Sequence, residues 1–165
     1  LLFTSCIVPL ILYGCGYHMV GSSSIPFDTI VVLPVQNKTQ EPLLEDVMHR
    51  ALSSGFISQG IRVTSTGDRD RRARLETVIR SFSVNTVAAS DDKVKEQSVV
   101  MEVDFRLIEG ERVMEFTSVK SPIAITFQAT GSVTEAVIEK QRAIERAAEE
   151  IAKELVSRIA LRYAE

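Results

Sequence analysis

Gln97–Ile108, QSVVMEVDFRLI, is the stretch whose reading decides the fold. From Val99 onward its apolar side chains fall on every second residue, Val99, Met101, Val103, Phe105 and Leu107, and Glu102, Asp104 and Arg106 fall between them. Successive side chains of a strand point to opposite faces. The alternation therefore predicts an antiparallel strand with one dry face and one wet face. A sheet of this kind needs cover on one side only.

Working outward, Glu109–Glu111 (EGE) predicts a tight turn into a further strand over Arg112–Val119. Ile123–Gln128 either continues the sheet beyond Pro122 or forms a loop. Upstream, Leu75–Thr86 reads as the partner strand, joined to Gln97–Ile108 through VAASDDKVKE, which carries hairpin turn chemistry.

The cover follows in the last thirty or so residues. Ser132-Val133-Thr134-Glu135 fits a capping box. Behind it Ile144, Ala147, Ala148, Ile151, Leu155 and Ile159 form one apolar stripe. Glu149 with Lys153 and Glu154 with Arg158 lie four apart with the acid first, the favourable order for helix pairs. About thirty residues at 1.5 Å each predict a one-sided helix of about 45 Å, long enough to lie along the sheet.

The first half of the chain reads strand, helix, strand. Thr29–Val35 is a β-branched run ended by Pro34. Leu44, Val47, Met48, Ala51, Leu52 and Phe56 recur at helical spacing. Pro42 fixes that helix's start near Thr39–Pro42, and Gly60 is its natural stop. Ile61–Ser65 would return parallel to the first strand through a right-handed crossover, and TGDRDRRA follows as a polar loop. The elements add up to an α+β single domain over residues 26–165.

Ahead of that domain Leu1–Tyr13 is apolar nearly all round and uncharged. It is too short for a bilayer span, which takes about 20 residues, and it gives way at Gly14 to small and polar residues. Residues 1–14 are therefore expected to be a secretory signal, shortened at its start because no basic leader precedes Leu1. Leu12-Tyr13-Gly14-Cys15 resembles the bacterial lipobox, with Tyr13 bulkier than the usual small residue. The resemblance implies that Cys15 is lipidated and becomes the first residue of the mature chain. An ordinary signal with an incidental cysteine is the competing reading. Residues 15–25, ending in GSSSI, then form a lipidated tether.

The chain has 165 residues and a formal net charge of -3. A mildly acidic domain lacks the concentrated positive field that nucleic acid requires. Its two cysteines are Cys6 and Cys15; the first leaves with the signal and the second is capped, so packing alone holds the fold. The two histidines, His18 and His49, have no cysteine or carboxylate at ligand spacing. No serine elbow or glycine-rich phosphate loop occurs. Glu102 and Asp104 could mimic a catalytic carboxylate pair, but a solvated strand face explains them more simply. Arg69, Arg71, Arg72 and Arg74 are interleaved with Asp68 and Asp70, as in a solvated loop. No enzyme, metal or cofactor is expected.

Four segments, GCGYHMVG (14–21), VQNKTQEPLLE (35–45), VDFRLIEGERVMEF (103–116) and AIERAAEEIAKELVSRI (143–159), together resemble the LptE family of lipopolysaccharide-assembly outer-membrane lipoproteins. The resemblance implies a two-layer sandwich, a mixed four-stranded sheet with two helices packed on one face. It implies acyl chains, palmitate among them, holding Cys15 in the inner leaflet of the outer membrane, and a body that plugs the β-barrel LptD and assists lipopolysaccharide transport. Gly16 is not the aspartate that commonly retains lipoproteins at the inner membrane. The family's contact with lipopolysaccharide is attributed to basic residues near one end of the sheet, and Lys93 and Lys95 at the hairpin tip are the candidates here. The alternative is a periplasmic lipoprotein of similar fold that activates a peptidoglycan synthase.

Overall fold

The computed structural model describes residues 25–64, 72–90, 93–121, 125–128 and 132–164, and the backbone alone at 88–90, 93–95 and 125–128. The expected signal, Cys15, His18, Arg69 and Arg71 lie outside these residues.

Strands β1 (Thr29–Val32), β2 (Gln36–Asn37), β3 (Arg62–Thr64), β4 (Ala73–Ser90), β5 (Lys93–Glu109), β6 (Arg112–Lys120) and β7 (Ile125–Gln128) form one mixed sheet. Helices α1 (Leu44–Ser58) and α2 (Val133–Ala164) pack on one of its faces. The α+β two-layer architecture is as expected, but seven strand segments replace the expected four. The order β3-β1-β4-β5-β6 gives five positions. The other two segments share edges already in use: β2 extends β1 along β4, and β7 extends β6 along β5. Pro34 breaks the first of these double strands, because it has no N–H for the ladder. Ile125–Gln128 is thereby strand rather than loop.

β1 is parallel to both β3 and β4, as a strand-helix-strand unit predicts. β4 and β5 are antiparallel and longer than the alternation suggested, their register running from Arg74↔Ile108 to Ser90↔Lys93. The segment expected as a broad turn, residues 87–96, is thus mostly ladder.

Val99, Met101, Val103, Phe105 and Leu107 are all buried, facing the helices with Leu75, Thr77 and Ile79 of β4. α2 covers them with the predicted stripe, from Ala143 and Ile144 through Ile151 and Leu155 to Ile159. α1 lies beside it. The two approach closely where small residues meet: a Cβ on Gly55 would sit 3.5 Å from Ala152 Cβ.

Helix termini follow local chemistry. α1 begins at Leu44, later than Thr39–Pro42, because Leu43 takes a left-handed conformation with φ 64° and the preceding residues are tied into a turn. It ends at Ser58, and Gly60 (φ 79°) donates its N–H to Ile57 O as the expected stop. Ser132 Oγ accepts from the Glu135 N–H at 3.2 Å, the serine half of the capping box. Arg158 pairs with Glu154 as predicted, but Lys153 pairs with Glu150 at 2.8 Å rather than with Glu149. Residues three and four apart are both neighbours on a helix, and the shorter reach wins here.

Candidate functional site

The sheet face opposite the helices has no covering layer among the described residues, and its centre is Asp104. Two irregularities frame this residue. On β4 the register passes from Ile79↔Val103 to Ser81↔Glu102, leaving Arg80 unpaired in the ladder. On β6 it passes from Phe105↔Phe116 to Val103↔Val119, leaving Thr117 and Ser118 opposite Asp104, with Ser118 at φ 52°. Both are β-bulges, which re-aim side chains and sharpen twist. Here they aim donors at one carboxylate: Arg80 Nε donates to Asp104 Oδ2 at 2.5 Å and the Ser118 N–H to Oδ1 at 2.9 Å. Partial burial pushes the Asp104 carboxyl up, but Ser118, Arg80 and the field of Lys38 outweigh it and hold the group below its ordinary value.

The neighbouring charges close on each other in the same way. Lys120 meets Glu102 at 3.3 Å, and Arg106 lies between Glu76 at 3.7 Å and Glu115 at 3.5 Å. The Ser118 hydroxyl and Lys120 hold the Glu102 carboxyl below its ordinary value. A shallow cleft of about 200 Å³ crosses this face, lined by Val78, Arg80, Asp104, Arg106 and Thr117. Glu102 and Asp104 are therefore clamped anions, whereas a general acid needs a raised pKa. The arrangement offers a flat, charge-balanced, strongly hydrogen-bonding surface.

The two ends of the molecule differ. At one end Tyr163, near the close of α2, donates its hydroxyl to Glu109 Oε2 at 2.6 Å, stands edge-on to Phe27 at 6.2 Å, and lies under the Arg112 guanidinium at 4.5 Å. Burial and Glu109 push the Tyr163 phenol well up, so it stays a donor. The start of the described chain, the β5–β6 turn and the end of α2 are joined there. At the other end stand the β4–β5 hairpin tip, the start of α2 and the loop before α1.

That loop explains the VQNKTQEPLLE stretch. Asn37 Nδ2 donates to Glu41 O at 2.8 Å and to Glu45 Oε2 at 2.9 Å, while its Oδ1 accepts from the Thr39 N–H at 3.0 Å and hydroxyl at 2.8 Å. Lys140 of α2 reaches Glu41 at 2.8 Å and stands 5.7 Å from the Phe82 ring centre. The motif is a knot tying β2, α1, α2 and β4 together.

Lys93 and Lys95 lie in the first residues of β5, at the hairpin tip as expected; their side chains fall outside the described atoms. Of the arginine cluster, Arg74 belongs to β4 rather than to a loop, paired with Val31 and Ile108. His49 is half-buried on α1, and no three potential metal ligands converge among the described residues. The bulge residues Arg80 and Ser118 were not singled out from the sequence. A signal for the first exists: alternation through Leu75, Thr77 and Ile79 resumes at Phe82 and Val84, one residue out of step.

The LptE family, described as lipopolysaccharide-assembly, matches residues 27–159. No curated protein sequence matches the chain. Among solved structures, an uncharacterized lipoprotein B from Nitrosomonas europaea superposes with a TM-score of 0.57 at 11% identity, over 88% of this chain and 90% of that one. A protein from Xanthomonas campestris gives 0.53 at 15% identity, over 82% and 85%. A minor lipoprotein from Acinetobacter baumannii gives 0.52 at 10% identity, over 83% and 93%. At these identities the structural likeness is one of fold.

Proposed function

This chain belongs to the LptE family of lipopolysaccharide-assembly proteins, and on that premise we propose that it is a lipid-anchored plug and assembly factor for the outer-membrane barrel LptD. The observation that carries the reading is the open sheet face, where Glu76, Glu102, Asp104 and Glu115 each have a basic partner. A barrel lumen is polar, and an occupant with its charges already paired meets such a wall without stranding an ion. An uncovered apolar face would instead have favoured a membrane or an apolar partner.

The two ends support an orientation. Ile25 packs against the core and Phe27 touches Tyr163, so a tether from Cys15 joins the body at the end where α2 finishes. β5 runs from Glu109 at that end to Lys93 at the other, sixteen residues on, a distance of about 50 Å at strand rise. With three acyl chains on Cys15 in the inner leaflet, Lys93 and Lys95 stand beyond the far side of a hydrocarbon layer about 30 Å thick. That is where a group receiving lipopolysaccharide on its way outward is needed.

Purification through a carboxyl-terminal tag from detergent-solubilised outer membrane tests the reading. It should bring down a stoichiometric large barrel; recovery of a peptidoglycan synthase instead would defeat it. Replacing Lys93 and Lys95 together by glutamate should weaken lipopolysaccharide binding and leave barrel recovery unchanged.

A further inference from the structure

We infer that the open edge of β6 takes an extended segment of the barrel partner as an added strand, seated in the groove between β6 and the last turns of α2. The inference rests on the plug reading above. β6 ends the sheet, and its outer edge pairs with nothing among the described residues. The β5–β6 hairpin closes through two residues with Gly110 at φ 57° and Glu111 in an ordinary region, the II′ pattern. Glu109 and Arg112 are then a hydrogen-bonded pair, and bonding alternates from there. The N–H and C=O of Val113 and Glu115 consequently point outward. An open row of this kind is a template for strand addition.

What stands over the edge makes it a groove rather than a bare margin. A cavity of about 360 Å³ is lined by Glu115, Phe116 and Thr117 of β6 and by Arg158, Leu161 and Arg162 of α2. Leu161 is 66% exposed although it sits beside this groove. Arg158 is paired to Glu154, whereas Arg162 has no carboxylate partner among the described residues. An added strand points alternate side chains toward the helix. The occupant is therefore an extended segment with an acidic side chain facing Arg162 and an apolar one two residues away against Leu161. The strands of a closed barrel have no free edge, so the donor is a loop or terminal segment of the barrel protein.

The bulge at Ser118 limits the regular ladder to Arg112–Phe116, which gives the partner room for two outward residues and no more. Such a short edge selects against indiscriminate pairing.

The test compares variants of the full chain recovered with the barrel from outer membrane. Glu115→Pro removes one outward N–H and spares the β5 ladder, as proline on an edge allows; Glu115→Gln controls for the charge. Glu115→Pro, with a melting temperature within a few degrees of the parent, should cut barrel recovery roughly five- to tenfold. Arg162→Glu should cut it similarly, and Glu115→Gln, which loses the same charge but keeps the outward N–H, should cut it distinctly less than Glu115→Pro does. Amide exchange at Val113 and Glu115 should be fast in the isolated protein and slow in the complex. Equal recovery by Glu115→Pro overturns the inference, as does protection already present in the isolated chain, which would mean that the edge holds a segment of this chain or a second copy. Absence of any barrel with the parent protein defeats the plug reading instead.

Discussion

Arg80 and Asp104 meet at 2.5 Å at a point where the β4–β5 ladder skips Arg80, between Ile79↔Val103 and Ser81↔Glu102. Asp104→Ala removes both this contact and the acceptor for the Ser118 N–H, and should destabilise by about 1–3 kcal/mol in urea unfolding at neutral pH. The contact carries a pH signature. Asp104 has a folded-state pKa below its ordinary 3.8, so its stabilisation is complete above that value and disappears as pH falls through the lowered one. The stability gap between parent and Asp104→Asn should therefore be constant from pH 7 to about 5 and close below 3.8.

Gly55 sits at a close approach of α1 and α2, and the space there decides the sign of a substitution. An added Cβ would lie 3.5 Å from Ala152 Cβ and 3.8 Å from Val156 Cγ2, ordinary contacts. Gly55→Ala should raise stability by about 1 kcal/mol through helix propensity. Gly55→Leu should lower it by roughly 1–3 kcal/mol through overpacking, and thermal unfolding of the pair separates the two effects.

Thr77 is 2% exposed on the helix-facing side of β4, and its hydroxyl has no hydrogen-bond partner among the described residues. Thr77→Val keeps the shape and removes an orphaned polar group. A gain of about 1 kcal/mol in chemical denaturation is expected; a loss would reveal an unseen partner.

Asn37 is the centre of the knot before α1, and its four bonds use both ends of the amide. Asn37→Ala should cost about 2–3 kcal/mol. Asn37→Asp keeps the acceptor but sets a second carboxylate against Glu45, whose own pKa is held below its ordinary value by backbone and Asn37 hydrogen bonds. Its defect should shrink as pH falls through the carboxylate range, readable from melting temperatures at pH 7 and pH 4.

Elements governed by strict periodicity were legible in the sequence: Val99 to Leu107 for β5, Ile144 to Ile159 for α2, and Gly60 as a helix stop. Three things escaped. Alternation does not say where a ladder ends, so β4 and β5 proved longer than their hydrophobic runs. The strand count depended on Pro34, which splits one sheet position into two segments. The Asp104 cluster arises from pairing across three strands, and in the sequence the bulge at Arg80 shows only as a one-residue break in the alternation of β4, which does not say what Arg80 meets. Lys93 and Lys95 belong to the first residues of β5 rather than to a broad turn, because the ladder runs on to Ser90↔Lys93.

The order of elements along the chain constrains how this protein is born. α2, the last element, is the lid over Val99, Met101, Val103 and Leu107, and β1 waits for both of its neighbours, β3 and β4, to arrive later. A chain that emerges amino terminus first thus carries a greasy, half-built sheet until the 32 residues of α2 follow. Loss of even the last two helical turns, which hold Ile159 and Tyr163, should convert it from a folding problem into a substrate for envelope proteases and holdase chaperones.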